Sequence, residues 1–223
     1  MNLRKTVARV AALALLATPV AVIASGEAAE AAPASSGTTS AIQPISGAIT
    51  YGTSDTVSIY GRVSATDGSY VDNGTVTLQA APYPYTRWTS IATSTNPSYA
   101  DFDGLKPTIS TAYRIVYSGY KTTNDYDETY TSSISKPVIA PVARKLTIKH
   151  KGLKMWGTVK PASKLKLHFK IKKGHKYKKW FTVKTNKKGK WTKHIHGKPG
   201  TKFVVVLPSS GGYAGAADAY VIY

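Results

Sequence analysis

The chain of 223 residues contains no cysteine. Disulfide staples, Cys-based metal sites and thiol chemistry are therefore excluded, and any compact structure must rest on buried apolar side chains alone. It is also short of carboxylates where positive charge is densest. Residues 138–223 carry Asp218 as their only acid beside 20 lysines and Arg144, a net of +20, whereas residues 41–137 sum to −2. A segment with one carboxylate cannot supply an acid/base pair. GxSxG, HExxH, P-loop and GxGxxG patterns are missing too, so the chain is expected not to be an enzyme and to need no cofactor.

Long apolar runs are confined to the start. Arg4, Lys5 and Arg9 precede Val10–Ala24, an apolar stretch of signal-peptide length that is short for a membrane span. Ala29-Glu30-Ala31 offers a small-x-small cleavage site, so residues 1–31 read as a secretory signal. With no later run able to span a bilayer and no sorting tail, the expectation is a secreted monomer, held at a cell surface non-covalently if at all. No amphipathic helical pattern with caps follows the signal.

What is present is two-residue alternation. In Lys164–Thr185, Leu165, Leu167, Phe169 and Ile171 face one way, and Lys164, Lys166, His168, Lys170 and Lys172 the other. That period defines strands with one dry and one wet face, turning around Gly174. Upstream, Thr56–Val63, Thr75–Ala80, Arg87–Thr93 and Ala112–Tyr117 alternate similarly, separated by Asp67-Gly68 and Asn73-Gly74 turn signals. The later half repeats this order. Leu153–Val159 matches Ser58–Val63, with Gly157 on Gly61; Lys164–Phe169 matches Gly74–Gln79; Lys179–Thr185 matches Arg87–Thr93; and Lys202–Val206 matches Ala112–Val116. The fold expected is all-β, with two tandem sandwiches of roughly 100 residues each. The boundaries read as a flexible lead-in at 32–44, domain 1 at 45–136, a Pro-framed semi-rigid linker at 137–141 and a Lys-rich domain 2 at 142–223. Trp88, Trp180, Tyr113 and Phe203 recur at matching positions and are the expected core aromatics.

The Gly-x-Val strand, the GTVTLQ run at Gly74–Gln79, the (Lys/Arg)-Trp-x-x-(Val/Ile) strand and the Tyr113–Gly119 run resemble bacterial Ig-like, prealbumin-like repeats of secreted and surface proteins. The resemblance implies an Ig-like sandwich used as spacer, adhesion module or binding platform. It departs from antibody-type domains in lacking the inter-sheet cysteine pair.

The candidate site is the lysine array Lys164, Lys166, Lys170, Lys172, Lys173, Lys176, Lys178, Lys179, Lys187, Lys188 and Lys190, with Lys184 beside it. Lysine is a solvated point charge, without the planar fork by which arginine reads bases or carboxylates. A lysine array with so few acids suits sequence-independent contact with a polyanion: a cell-wall polymer, an acidic polysaccharide or extracellular DNA. The alternative is that the lysines solvate an exposed sheet and block edge pairing, leaving a structural spacer with no ligand. His194-Ile195-His196 has no nearby carboxylate or cysteine to complete a metal sphere, so no metal is expected. Asp101–Gly104 and Asn124–Glu128 are the acidic clusters and read as exposed turns. Tyr83–Trp88 reads as strand aromatics of a β protein, with a stacking platform for sugars or a partner as the alternative.

Overall fold

The computed structural model describes residues 35–123 and 128–223. The signal segment 1–31 and residues 124–127 of the second acidic cluster lie outside the described residues. Among the described residues all of the regular structure is strand except one 3-10 turn at Pro97–Tyr99. Among the described residues no helix is long and apolar enough to cross a membrane.

In the first sandwich Val57–Ala65 buries Val57, Ile59, Gly61, Val63 and Ala65 on one face, as its alternation requires. It lies antiparallel between Thr38–Ile42 and Ala100–Leu105 in a three-stranded sheet. The facing sheet centres on Val76–Pro82, flanked by Thr89–Ser94 and Thr111–Tyr117; the outer edge of Thr111–Tyr117 takes first Ser133–Ile134 and then Val138–Ala140. Ile59, Val63, Val76, Leu78, Ile115 and Tyr117 fill the space between.

The second sandwich repeats this connectivity. Lys145–Lys151, Lys154–Lys160 and Lys190–His194 form the three-stranded sheet, in that order. Lys176–Lys184, Lys166–Lys173, Lys202–Leu207 and Ala216–Val221 form the four-stranded one. Corresponding strands occupy corresponding places in both pairs of sheets, so the chain is two tandem Ig-like β-sandwiches. With no cysteine to bridge the sheets, aromatic packing closes the second core. Phe169 stacks on Phe181 (4.5 Å between centroids) and Phe203 (6.2 Å), and meets Trp191 edge-on at 5.8 Å.

Tyr113 and Phe203 are buried as expected, but the two matched tryptophans are not the core anchors. Trp88 stays partly exposed, ahead of the edge strand Thr89–Ser94, and the Arg114 guanidinium covers it at 4.2 Å. Trp180 is partly exposed because it is the extra residue of a bulge: Phe169 pairs with Phe181 but Lys170 with Lys179. It packs over Phe203 at 5.7 Å from the rim of the core. The buried tryptophan is Trp191, opposite Gly157, where the missing side chain leaves room for an indole.

Two stretches expected to be flexible or linking are hydrogen-bonded. In the lead-in 32–44, Thr38–Ile42 pairs with Val57–Ala65, and the Thr38 hydroxyl donates to Thr131 O at 2.7 Å. Between the sandwiches, Val138–Ala140 extends the first sandwich's ladder and Val142–Ala143 runs parallel to Ile49–Thr50. Ala143 also bridges to Ala214 of the second sandwich. The framing prolines remove donors only at 137 and 141, and the Val-Ile-Ala between them keeps its own.

This junction also buries Arg144. Its guanidinium donates to Pro161 O (3.0 Å) and Ser210 O (3.4 Å) and lies 4.1 Å over the Tyr213 ring. Burial pushes its pKa down. Ser110 N donates to Gly212 O and Val142 N to Ser110 Oγ, both at 3.0 Å.

Candidate polyanion-binding face

Alternation along Lys166–Lys173 drives Leu167 and Phe169 inward and leaves Lys166, His168, Lys170 and Lys172 on the outer face of the four-stranded sheet. Antiparallel pairing then sets the neighbouring strand. Lys184 stands opposite Lys166, Thr182 opposite His168, Lys179 opposite Lys170 and Tyr177 opposite Lys172. His168 Nδ1 and Thr182 Oγ1 are hydrogen-bonded at 3.2 Å. Directly opposed like charges destabilise a sheet. Water, salt or a bound anion must relieve these pairs, because Asp218 is the one carboxylate in this half of the chain.

The other lysines of the array lie off this face or at its ends. Lys173 and Lys176 close the hairpin at Gly174, which takes φ +59. Lys178 pairs with Ile171 and so starts on the opposite face, at the exposed end of the sheet. Lys187 and Lys188 occupy the turn joining the two sheets. There Asn186 Oδ1 accepts from Lys188 N (2.9 Å) and Lys190 N (3.0 Å). Lys190 itself pairs with Thr158 in the three-stranded sheet. Lys164 is exposed just ahead of its strand. The eleven lysines thus form one sheet face, two turns and part of the opposite sheet, rather than a single plane.

The opposite sheet carries a basic row of its own. Its solvent side presents Lys145, Lys149 and Lys151, then Lys154 and Lys160 around Trp156, with Lys145 opposite Lys160 and Lys151 opposite Lys154. A shallow groove of about 370 Å³ between Lys149, Trp156 and Lys190 lies on this side. The same alternation as in Lys164–Lys172 marks Lys145–Lys151 and could have located this row.

His194 and His196 are exposed with ring centroids 5.2 Å apart, and among the described residues no group of three or more His, Cys, Asp or Glu could hold a metal ion. Asp101 and Asp103 lie on the Ala100–Leu105 strand rather than in a turn, and Asp103 accepts a hydrogen bond from the Ser58 hydroxyl. Tyr83–Trp88 does not form one platform. Tyr83 and Tyr85 meet edge-on at 5.5 Å, and Tyr83 lies against Gly212 in the junction, where a Cβ would come within 2.7 Å of it. Trp88 sits apart beneath Arg114.

No protein-family model and no curated protein matches the chain. Among solved structures it is similar to a tetra-tandem repeat from the extending region of a large adhesion protein, at 12% identity and TM-score 0.32, over 84% of this chain and 49% of that one. It is also similar to the chicken CNTN1 FN1–FN3 domains, at 16% identity and TM-score 0.31, over 85% and 66%. Fibronectin(III)-like modules of Clostridium thermocellum CbhA align at 11% identity and TM-score 0.27, over 82% and 93%. The chain thus spans about half of the first of these and about two thirds of the second. Overlaps of this size carry no conclusion about activity.

Proposed function

We propose that the chain is an exported, non-catalytic adhesion module, and that its second sandwich grips anionic cell-wall or extracellular polymers. The observation that carries this reading is the lysine lattice of the four-stranded sheet. Lys166, Lys170, Lys172, Lys179 and Lys184 share one solvent face of a domain whose only acid is Asp218. A surface built only for solubility mixes signs. The near absence of arginine favours contact set by charge density over readout of a particular sequence or sugar.

Retention on heparin or phosphocellulose tests it. The full chain is expected to bind at 0.02 M sodium chloride and to elute as salt rises, since counterion release makes such contacts steeply salt-dependent. Replacing Lys166, Lys170 and Lys179 together by Gln should move elution to lower salt without lowering the melting temperature, since it removes opposed like charges. Passage through the column at low salt, or unchanged elution of the triple variant, would leave the spacer reading in its place.

A further inference from the structure

The first sandwich carries a second surface, independent of the lysines. On the outer face of its three-stranded sheet, Tyr60 and Arg62 alternate outward from Val57–Ala65, with Asp101 opposite Tyr60 and Ala41 opposite Arg62. Ala41 is too small to fill its place in the row. The Pro97–Tyr99 turn brings Tyr99 up as a side wall. The result is a groove of about 690 Å³ bordered by Ala41, Gln43, Tyr60, Arg62, Tyr99 and Asp101. Pockets of this size, walled by aromatics and carrying a few polar groups, suit a ligand of two or three rings.

The walls are held in place before any ligand arrives. Asn96 Oδ1 accepts from Tyr99 N at 3.2 Å, and the buried Ser98 hydroxyl is tied to both Val71 N and Val71 O at 2.9 Å. Tyr99 stacks with Tyr70 at 6.0 Å, and Arg62 lies 5.0 Å over the Tyr70 ring. These rings are nevertheless turned to water: Tyr60 is 45% exposed, Tyr70 53% and Tyr99 62%. Large aromatics clustered at the surface around a concavity mark recognition sites.

We propose that this groove binds a neutral hexose chain. Tyrosine faces stack against the apolar C–H faces of pyranose rings. Arg62, Asp101 and Gln43 supply a donor, an acceptor and an amide for ring hydroxyls. The charges do not favour an anionic ligand, since Arg62 is matched by Asp101 in the groove. Asp101 borders the groove, Asp103 lies further along its strand on the same outer face, and residues 41–137 sum to −2. The two sandwiches therefore recognise different chemistries, one a polyol and the other a polyanion.

Calorimetric titration of the full chain at 0.15 M salt with cellohexaose, laminarihexaose, maltohexaose and hexagalacturonate tests the assignment. At least one neutral hexamer should bind saturably. Tyr60→Ala and Tyr99→Ala should each weaken it at least tenfold at unchanged melting temperature. Tyr99→Phe, which keeps the ring, should stay within about threefold, and the triple lysine-to-Gln variant should bind as the parent does. The proposal is overturned if no neutral hexamer binds, if both alanine variants bind normally, or if hexagalacturonate binds more tightly than every neutral hexamer and that binding is lost in Tyr60→Ala and Tyr99→Ala but kept in the triple lysine-to-Gln variant. Failure of the lysine reading would not change these outcomes.

Discussion

Gly157 and Gly61 hold equivalent central positions in the two three-stranded sheets, yet an added methyl group meets very different obstacles. At Gly157 a Cβ would lie 1.9 Å from Thr147 O and 3.0 Å from Thr147 C, with Trp191 Cε2 at 3.1 Å. Real Cβ atoms essentially never approach within 3.0 Å of another heavy atom, so Gly157→Ala requires about 1 Å of movement. Two of the three obstacles are backbone of the paired strand Lys145–Lys151, which cannot rotate away. The strands must part, loosening the ladder at Ile148 and displacing the buried indole of Trp191. Overpacking of this kind costs about 1–3 kcal/mol, and each weakened ladder bond adds about 1 kcal/mol. With two such bonds weakened, the sum is about 3–5 kcal/mol. At Gly61 the nearest atoms are the Ile115 side-chain carbons Cδ1 (2.9 Å) and Cγ2 (3.1 Å), which can shift. Gly61→Ala should therefore cost about 1 kcal/mol. Urea denaturation followed by tryptophan fluorescence suits the comparison, since Trp156, Trp180 and Trp191 report on the second sandwich and Trp88 on the first. The expected result is a Gly157→Ala midpoint well below both the parent and Gly61→Ala, with a thermal drop of at least about 12 °C. Equal losses at the two positions would refute the claim that backbone contact, rather than burial, demands glycine at 157.

Three further outcomes are expected. Burial pushes the Tyr113 and Tyr117 hydroxyls up to about 12, and Tyr117 also donates to Asn73 O at 2.7 Å. Because the folded value exceeds the unfolded one near 10, their contribution is complete below pH 10 and is lost as pH rises toward 12. Tyr113 alone should account for at most about 2–3 kcal/mol of that loss, less whatever solvent screens. Alkaline melting curves should show the fall, and Tyr113→Phe should flatten it. Arg144→Ala removes two charged hydrogen bonds and the stack on Tyr213, and should destabilise the junction by about 2–4 kcal/mol in thermal denaturation. Lysine at 144 should recover little, lacking the planar fork. Finally, the opposed lysines of the second sandwich repel over about 8–10 Å at ordinary salt, so its melting temperature should rise between 0.02 and 0.5 M sodium chloride while that of the first barely moves. Equal melting temperatures in both would show that the repulsion is already relieved.

Much of this architecture was readable along the chain, because a strand with one buried face writes its period into the residue order. Lys166–Lys173 and Val57–Ala65 needed only alternation, and the recurrence of glycine at 61 and 157 announced the tandem repeat. The compartment of charge was equally plain, since 20 lysines facing one acid need no coordinates. Pairing was not readable, because register is a relation between strands distant in sequence. The bulge at Trp180, which turns an expected core anchor to the rim, exists only when Phe169 and Phe181 are aligned. Trp191 becomes the core indole only because it lies opposite Gly157. The same holds for function: alternation predicted a lysine face, but cross-strand neighbours decided which ammonium groups share it and which fall on turns or the opposite sheet. The tyrosine groove was invisible in order, since Ala41, Tyr60 and Tyr99 are brought together by two ladders and a 3-10 turn. Composition and period settle what each strand must hide; only packing in three dimensions settles which exposed side chains become neighbours.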